Sequence, residues 1–326
     1  EPMSEGPLSR VTILDLTDER GIYGAKLLAD LGANVIRPEP LDGDPLRTRG
    51  PFIQSTDQEK QSIWHAYFCS SRRSITLDLG SAEGSEQFEL LLTKADIVLT
   101  CPGAFGVERS KEILKNKNQE ELIFIDTCSF RPDCEWADYI APDIVAGALG
   151  GQIATTGDAD TAPLKNFGEL NFMVSGAYTA ISALSALYNR RETGSGQRVE
   201  VSVHECIASC LEHVFMFYWY GEAMEHPDGK VLPRRGSLHW SNAYDVMNAE
   251  TGSIMVTPTP DFDKQLTWMI EEDIHDDLID PKYLEPENLR LRVEKTMDQL
   301  RDWVATKNAE DLFFEAQERH MPYGLV

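Results

Sequence analysis

The sequence has little positive charge for its size. Its 326 residues include 30 Lys and Arg against 54 Asp and Glu, which gives a formal net charge of −24. Proteins whose main partner is a nucleic acid or an anionic membrane use basic surface patches to bind it. The charge balance therefore excludes both as expected main partners. An anionic ligand of this protein would need a local cluster of the few cationic side chains.

Long apolar runs and closely spaced cysteines are lacking too. No stretch approaches the roughly 20 apolar residues of a membrane span. The first ten residues, EPMSEGPLSR, do not show the basic start and apolar core of a signal peptide. The six cysteines include no CxxC pair, which is typical of reduced intracellular thiols in a long chain. We expect a cytoplasmic protein.

The first half of the sequence alternates between strand and helix patterns. Arg10–Thr17 is a short aliphatic and β-branched run, and a helix of apolar spacing then ends at Gly32. Further strands are predicted at Ala33–Ile36, Ser74–Leu79, Asp96–Thr100 and Leu122–Ser129. Strands that alternate with helices indicate an α/β protein with a doubly wound, mostly parallel, Rossmann-like sheet.

The second half predicts a change of architecture. A long helix over 171–191 precedes a strand and a single apolar helix over 204–220. Beyond it come a β-hairpin with its turn at 248–252 and three acidic amphipathic helices. The predicted domains are a Rossmann-like first domain at 1–220, a Pro- and Gly-bearing linker at 221–231, a smaller α+β domain at 232–320, and a segment at 321–326 that starts to return to the first domain.

Four possible metal ligands lie close together in the sequence: His204, Cys206, Cys210 and His213. On one helix Cys206, Cys210 and His213 share a face, and three nitrogen and sulfur ligands can hold zinc. Their apolar neighbours favour a core helix instead, and no second ligand cluster is present to close such a site. We expect no metal ion and no tightly bound cofactor.

Arginines near the predicted strand ends are the candidates for an anion site. Arg37 and Arg109 belong to loops at carboxyl ends of strands, where doubly wound sheets bind ligands, whereas Arg72 and Arg73 precede their strand. Guanidinium groups bind phosphates through charge-assisted hydrogen bonds. The residues alone leave open the alternative that each arginine pairs with an acidic side chain of the protein.

Several segments together resemble the class III CoA-transferase (CaiB/BaiF) family. They include LLADLGANVIRPEPLDGDPLR, RRSITLDL, ADIVLTCPGAFGVER and RRETGSGQRVEVSVHE, and the similarity in order and spacing extends over nearly the whole chain. The resemblance implies a CoA-binding α/β domain, a smaller second domain and an interlocked homodimer. It implies acyl-CoA and a small carboxylate as substrates. It assigns to the CoA site Arg37, Arg72, Arg73, Cys101 and Arg109.

This sequence departs from the family pattern at the catalytic position. Family transferases attack the thioester with an aspartate four residues before the glycine that is Gly176 here. That position is Phe172, which has no nucleophilic atom. Glu169, three residues earlier, is the candidate for a displaced catalytic nucleophile. Pro142 replaces the histidine of the racemase-type relatives, which removes one base of a two-base racemisation.

Three functions remain open from the sequence. The first is a CoA-transferase-type protein that moves CoA between an acyl-CoA and a small carboxylic acid. One form of this function is the non-nucleophilic half of a tandem enzyme such as a dimethylsulfoniopropionate CoA-transferase/lyase. The second is a non-catalytic protein of the same fold that serves dimerisation or CoA sensing. The third is an acyl-CoA racemase-type enzyme.

Overall fold

The computed structural model describes residues 6–54, 60–115, 120–158, 160–220, 234, 243–258 and 261–326. The chain divides into two compact units, Glu1–Ile153 with Lys165–Phe215 and Ala154–Leu164 with Met216–Val326. The sequence did not indicate that Ala154–Leu164 groups with the second unit. The predicted linker at 221–231 lies outside the described residues.

The first unit is built on a parallel sheet. Its strands are β1 (Thr12–Leu16), β2 (Asn34–Glu39), β3 (Phe52–Gln54), β4 (Lys60–Ser62), β5 (Arg73–Thr76), β6 (Ile97–Thr100), β7 (Ile123–Cys128) and β8 (Arg198–Ser202). Six of them form one all-parallel sheet in the order β5-β2-β1-β6-β7-β8, and β3 pairs with β4 alone. The predicted α/β fold with a doubly wound parallel sheet is confirmed.

Helices lie between these strands or follow the last of them in the chain. They are α1 (Ile22–Asp30), α2 (Ile63–Phe68), α3 (Ala82–Lys94), α4 (Val107–Lys115), α5 (Asp143–Leu149), α6 (Leu170–Thr193), α7 (Val203–Ser209) and α8 (Glu212–Tyr220). Local sequence sets their ends. The Ser81 hydroxyl accepts the Gly84 N–H at 3.0 Å and begins α3. After α1, Gly32 adopts a φ of +95°, which glycine tolerates without strain.

Alternate residues of the central strands fill two apolar layers. Ile13 of β1 packs with Ile97 of β6 and Leu28 of α1 on one face of the sheet. Leu14, the next residue, packs with Phe88 of α3 on the other face. This period-two alternation with both faces covered is the pattern of a buried parallel sheet.

Helix α6 crosses α1 at two glycines. A Cβ on Gly24 would lie 2.5 Å from the Gly176 carbonyl oxygen, and one on Gly176 would lie 2.9 Å from the Gly24 nitrogen. Neither distance leaves room for a side chain, so the two backbones touch. The crossing fixes where the amino-terminal end of α6 lies in the first unit.

Helix α6 is also the one helix of the described residues that is long and apolar enough to span a membrane by length and composition. This differs from the expectation that no stretch approaches the length of a membrane span. Ala180, Ala183 and Ala186 of this helix are buried in the core with Ile13 and Ile125. A core helix of a globular unit passes the same criterion, because it too is apolar.

The predicted single helix over 204–220 is wrong, because the chain breaks between α7 and α8. The Cys210 N–H bonds the carbonyl of Ile207, three residues back, at 3.1 Å. The Ser209 hydroxyl and the Cys210 thiol both donate to the Cys206 carbonyl. These bonds replace the i→i−4 bond that would continue the helix. The continuous helical face considered for metal ligands therefore does not form.

The second unit contains the predicted hairpin and acidic helices. Its elements are β9 (Asp245–Asn248), β10 (Ser253–Val256), α9 (Phe262–Glu271), α10 (Leu289–Val304), α11 (Ala309–Glu318) and β11 (Gly324–Leu325). The three strands form an antiparallel sheet in the order β11-β10-β9, and the helices pack around the buried ring of Trp268. That 321–326 begin a return to the first domain stays a prediction; here β11 pairs with β10.

Candidate active site

A crevice of about 410 Å³ opens at the carboxyl edge of the parallel sheet. Its walls are the end of β1 with the loop after it, the end of β2 with residues 40–46, and residues 103–105 after β6. The strand order reverses between β1 and β6. Doubly wound sheets bind their ligands at this kind of switch point.

A buried carboxylate, Asp15, lies at the base of this crevice. Its Oδ2 accepts hydrogen bonds from Arg37 Nη1 at 3.0 Å and from Arg72 Nη1. Its Oδ1 accepts the Thr17 hydroxyl at 2.6 Å. Burial opposes ionisation, but the two guanidinium groups and the Thr17 bonds outweigh it and lower the pKa of Asp15. The ionised carboxylate holds both arginines in place.

Arg37 and Arg72 are thus the two predicted CoA-binding residues that the structure brings together. Arg37 is 7% exposed and also donates from Nε to Asp44 Oδ2 at 2.5 Å. Asp15 and Asp44 outweigh the effect of burial and raise the pKa of Arg37. Within the described residues, Arg72 Nε is buried and has no hydrogen-bond partner. Both arginines already pair with protein carboxylates, so their binding of CoA stays a prediction.

The other three predicted residues lie apart from this cluster. Arg73 is exposed on β5. Arg109 is exposed on α4 and pairs with Glu112, three residues along, at 2.9 Å. Cys101 is fully buried after β6, and burial raises the pKa of its thiol. No hydrogen bond or ion pair between these three and Asp15 occurs among the described residues, and their CoA contacts stay predictions.

Phe172 lies in the first turn of α6, in an apolar corner. Its ring is 4% exposed and packs with Ala146, Val203 and Ile207. Its backbone N–H donates to Asp143 Oδ1 at 3.1 Å. The Asp143 carboxylate thus accepts one of the N–H groups that lack a partner within the first turn of the helix. Its negative charge also interacts favourably with the positive end of the helix dipole. The Phe172 side chain therefore contributes apolar packing, and the Asp143 carboxylate stabilises the amino-terminal end of α6.

Glu169 is held by two donors. Its Oε1 accepts a hydrogen bond from Arg49 Nη2, and its Oε2 accepts the Trp64 indole N–H at 3.1 Å. The Arg49 guanidinium carbon lies 4.6 Å from the centre of the Trp64 ring, over its face. Both carboxylate oxygens are therefore occupied. That Glu169 is a displaced nucleophile stays a prediction.

Sequence reasoning missed Arg49 and Trp64. Arg49 follows the 3₁₀ helix Pro45–Thr48, and Trp64 lies in the six-residue helix α2. Two capping signals were available: Asp44 precedes a proline, and the Ser62 hydroxyl accepts the His65 N–H at 2.9 Å. Both helices are too short to show an apolar period, so only the caps could have indicated them.

A possible metal-binding group occurs away from the residues considered in the sequence. The ligand atoms of Asp44, His65 and Cys69 lie within 4.8 Å of one another. Arg37 already donates to Asp44, and burial raises the pKa of the Cys69 thiol to about 11. A neutral thiol beside a guanidinium is a poor metal site. The side chain of His213 lies outside the described part, and the expectation of no metal stays a prediction.

Comparison with known proteins gives consistent matches. Residues 8–326 match the family model CoA-transferase family III. The chain is 28% identical to succinyl-CoA:mesaconate CoA-transferase of Haloarcula hispanica, over 94% of this chain and 77% of that protein. It is 32% identical to succinyl-CoA:(R)-benzylsuccinate CoA-transferase subunit BbsE of Thauera aromatica, over 70% of this chain and 54% of that protein. A crystal structure of a CAIB/BAIF family protein from Brucella suis gives a TM-score of 0.77 at 26% identity, over 98% of this chain and 84% of that one.

Proposed function

This chain belongs to CoA-transferase family III, and on that premise we propose that it is the half of a CoA-transferase that lacks the attacking carboxylate. It binds the CoA part of an acyl-CoA at the crevice beside Asp15. A second copy of the fold that carries the family aspartate supplies the nucleophile. The observation that carries the proposal is Phe172, buried among apolar side chains where the resemblance assigns that aspartate.

The chemistry explains why a partner is needed. A transferase of this type attacks the thioester carbonyl with a carboxylate oxygen, which forms an acyl–carboxyl anhydride and releases CoA as thiolate. The thiolate then attacks the enzyme's carbonyl of that anhydride, which releases the acid and leaves an enzyme thioester. Phenylalanine can take part in neither step. The Thauera relative is named as a subunit of its transferase, which supports a division of labour between chains.

The test is intact-mass spectrometry of this chain after incubation with succinyl-CoA, followed by hydroxylamine. We expect no acyl or CoA adduct on the chain alone. Phe172→Asp is the informative variant: an adduct that forms on a folded variant shows that the site lost only its nucleophile. An adduct on the unmodified chain would contradict the proposal.

A non-catalytic, CoA-sensing or dimerising protein is the second candidate. One observation favours it. Three of the candidate CoA-binding residues already form ion pairs with carboxylates of the protein, namely Arg37, Arg72 and Arg109. Calorimetric titration with CoA separates a protein that only dimerises from the two that bind CoA, the transferase half and a CoA sensor. Binding that weakens with added salt supports one of these two, and the adduct test on Phe172→Asp then distinguishes them. Absence of heat at millimolar CoA favours a protein that only dimerises.

Two further attributes belong to this proposal. The interlocked pairing of two copies follows from the family resemblance, and the cytoplasmic location follows from the scattered cysteines. Analytical ultracentrifugation tests the first, since a stable pair doubles the mass of 36.6 kDa. The tandem arrangement proposed for the dimethylsulfoniopropionate-type enzyme is tested by the sequence that adjoins these residues in the native gene.

A further inference from the structure

Arg49 and Trp64 form a pair of hydrogen-bond donors that the proposed mechanism does not use. We propose that they bind the non-reacting carboxylate of a dicarboxylic acid substrate, and that Glu169 fills this place while no acid is bound. The inference rests on the proposed function, because it takes a carboxylic acid to be the acceptor of CoA. It adds the class of acid and the residues that select it.

The geometry around Glu169 shows that one carboxylate fits this place. Each of its two oxygens accepts one donor, Arg49 Nη2 for Oε1 and Trp64 Nε1 for Oε2. The indole face supports the guanidinium from one side at 4.6 Å. A stacked, planar guanidinium with a second fixed donor is a selective arrangement for a carboxylate, because the donor directions are set in advance.

Glu169 leaves part of this donor set unused. Arg49 Nη1 is buried, and among the described residues it has no hydrogen-bond partner. The Glu19 Oε2 atom lies 4.0 Å from it, beyond hydrogen-bond distance. A buried charged donor without an acceptor costs free energy. A free carboxylate can bridge Nη1 and Nη2 side by side, whereas Glu169, tethered to its backbone, bonds only Nη2. Exchange of Glu169 for a substrate carboxylate therefore gains a hydrogen bond.

The position of this pair suits a substrate with two carboxylates. Glu169 is the residue that begins α6, three residues before Phe172. An acid bound at Arg49 therefore lies beside the helix end to which the resemblance assigns the reacting group. A dicarboxylic acid can bind Arg49 with one carboxylate and still offer the other to the reaction, whereas a monocarboxylic acid bound at Arg49 has no carboxylate left to react. The preceding Gly168 has a φ of +67°, and a Cβ at this residue would have no other atom of the described residues within 4 Å, so the chain before Glu169 has room to turn.

The experiment compares succinate with butyrate by titration calorimetry on the full chain. The two acids have the same carbon number and differ by one carboxylate. We expect tighter binding of succinate. Glu169→Gln should lower the succinate Kd about tenfold, because a neutral amide competes less well than a carboxylate for a guanidinium. Arg49→Gln should raise it at least about tenfold.

Matched controls exist in the second unit. Arg290 pairs with Glu294 there at 2.8 Å, so Arg290→Gln and Glu294→Gln make the same changes of charge and should leave the succinate Kd unchanged. If Arg49→Gln does not fold, Trp64→Phe keeps an aromatic ring beside Arg49 and removes the N–H, and should weaken succinate binding. Succinate binding no tighter than butyrate, or no gain in Glu169→Gln, overturns the inference.

CoA titration of the same variants separates the two proposals. If the unmodified chain does not bind CoA, this result counts against the proposed function, regardless of the Kd for succinate. Intact CoA binding together with equal affinities for succinate and butyrate counts against the role of Arg49 alone. An acyl adduct mapped to Glu169 also overturns the inference, because Glu169 would then be the nucleophile and not an occupant of the acid site.

Discussion

The first unit contains two arginine–carboxylate clusters of similar composition and different exposure. At Asp15 the carboxylate is 0% exposed and the Arg37 side chain 9%. At Glu169 the carboxylate is 22% exposed and the Arg49 side chain 30%. Among the described residues each cluster has one buried donor without a hydrogen-bond partner, Arg72 Nε in the first and Arg49 Nη1 in the second. The clusters differ in exposure, and the second is the more open to a ligand. The comparison teaches that an arginine at a strand end, such as Arg37, can be structural. An arginine that no sequence pattern singles out, such as Arg49, can be the more accessible to a ligand.

The largest expected effect is on the buried cluster. Asp15→Ala leaves Arg37 and Arg72 facing each other without their shared carboxylate, and removal of one partner of a buried ion pair costs about 3–5 kcal/mol. Urea denaturation measures this loss. Glu169→Gln, in the more exposed cluster, should cost about 1 kcal/mol or less. Equal losses in the two variants would remove the distinction between the clusters.

The next largest effect is that of acid on the fold around Glu39, another buried carboxylate of the first unit. Burial of Glu39 acts against its ionisation, but hydrogen bonds from Arg47, Ser74 and the Asp44 N–H outweigh it and lower the pKa of Glu39 to about 2. A carboxyl with a pKa lower in the folded state stabilises the fold above its unfolded pKa, and loses that effect as the pH falls. We therefore expect stability to decline between about pH 4.5 and about pH 2.

Urea midpoints at pH 6, 4 and 3 measure this decline. Glu39→Gln should reduce the slope in that window, since the amide does not titrate. Asp298, exposed on α10 and paired with Arg301 three residues along, offers the matched control Asp298→Asn. An unchanged slope in Glu39→Gln would show that other carboxyls carry the acid sensitivity.

Arg109→Ala should have the smallest effect. Arg109 pairs with Glu112 on the surface of α4, and exposed pairs of this spacing contribute about 0.5 kcal/mol or less. Arg72→Ala, which leaves the buried Asp15 with one arginine, should cost several times more. Thermal unfolding of the two variants side by side checks the order. A reversal would mean that Arg109 is the structural arginine.

Much of the fold followed from local patterns. The aliphatic strands beside Ile13 and Ile97 and the Ser81 cap of α3 carry their own signals, because a buried strand and a helix start each need particular residues in a short window. The hairpin turn before Gly252 did so as well. These elements could be predicted from a dozen residues at a time.

The candidate site could not be predicted in this way. Glu169 and Arg49 are 120 residues apart in the sequence, and no local pattern joins them. Arg37 and Arg72 were predicted as ligand-binding residues, but their common partner Asp15 was overlooked, since it lies inside an apolar strand pattern. Pairing of this kind depends on which strands become neighbours, so it appears only after the sheet is assembled.

The glycine crossing of α1 and α6 has a consequence for how the first unit opens. Backbones in contact at Gly24 and Gly176 cannot slide without losing packing along both helices, so their amide hydrogens should exchange with deuterated solvent only through global unfolding. The turn at Gly168 has no comparable close contact, because a Cβ there would have no other atom within 4 Å in the part of the chain that the structure describes. Deuterium uptake would then divide α6 into a slow middle and a fast beginning, and local opening of this helix would be confined to the few peptide groups that carry Glu169.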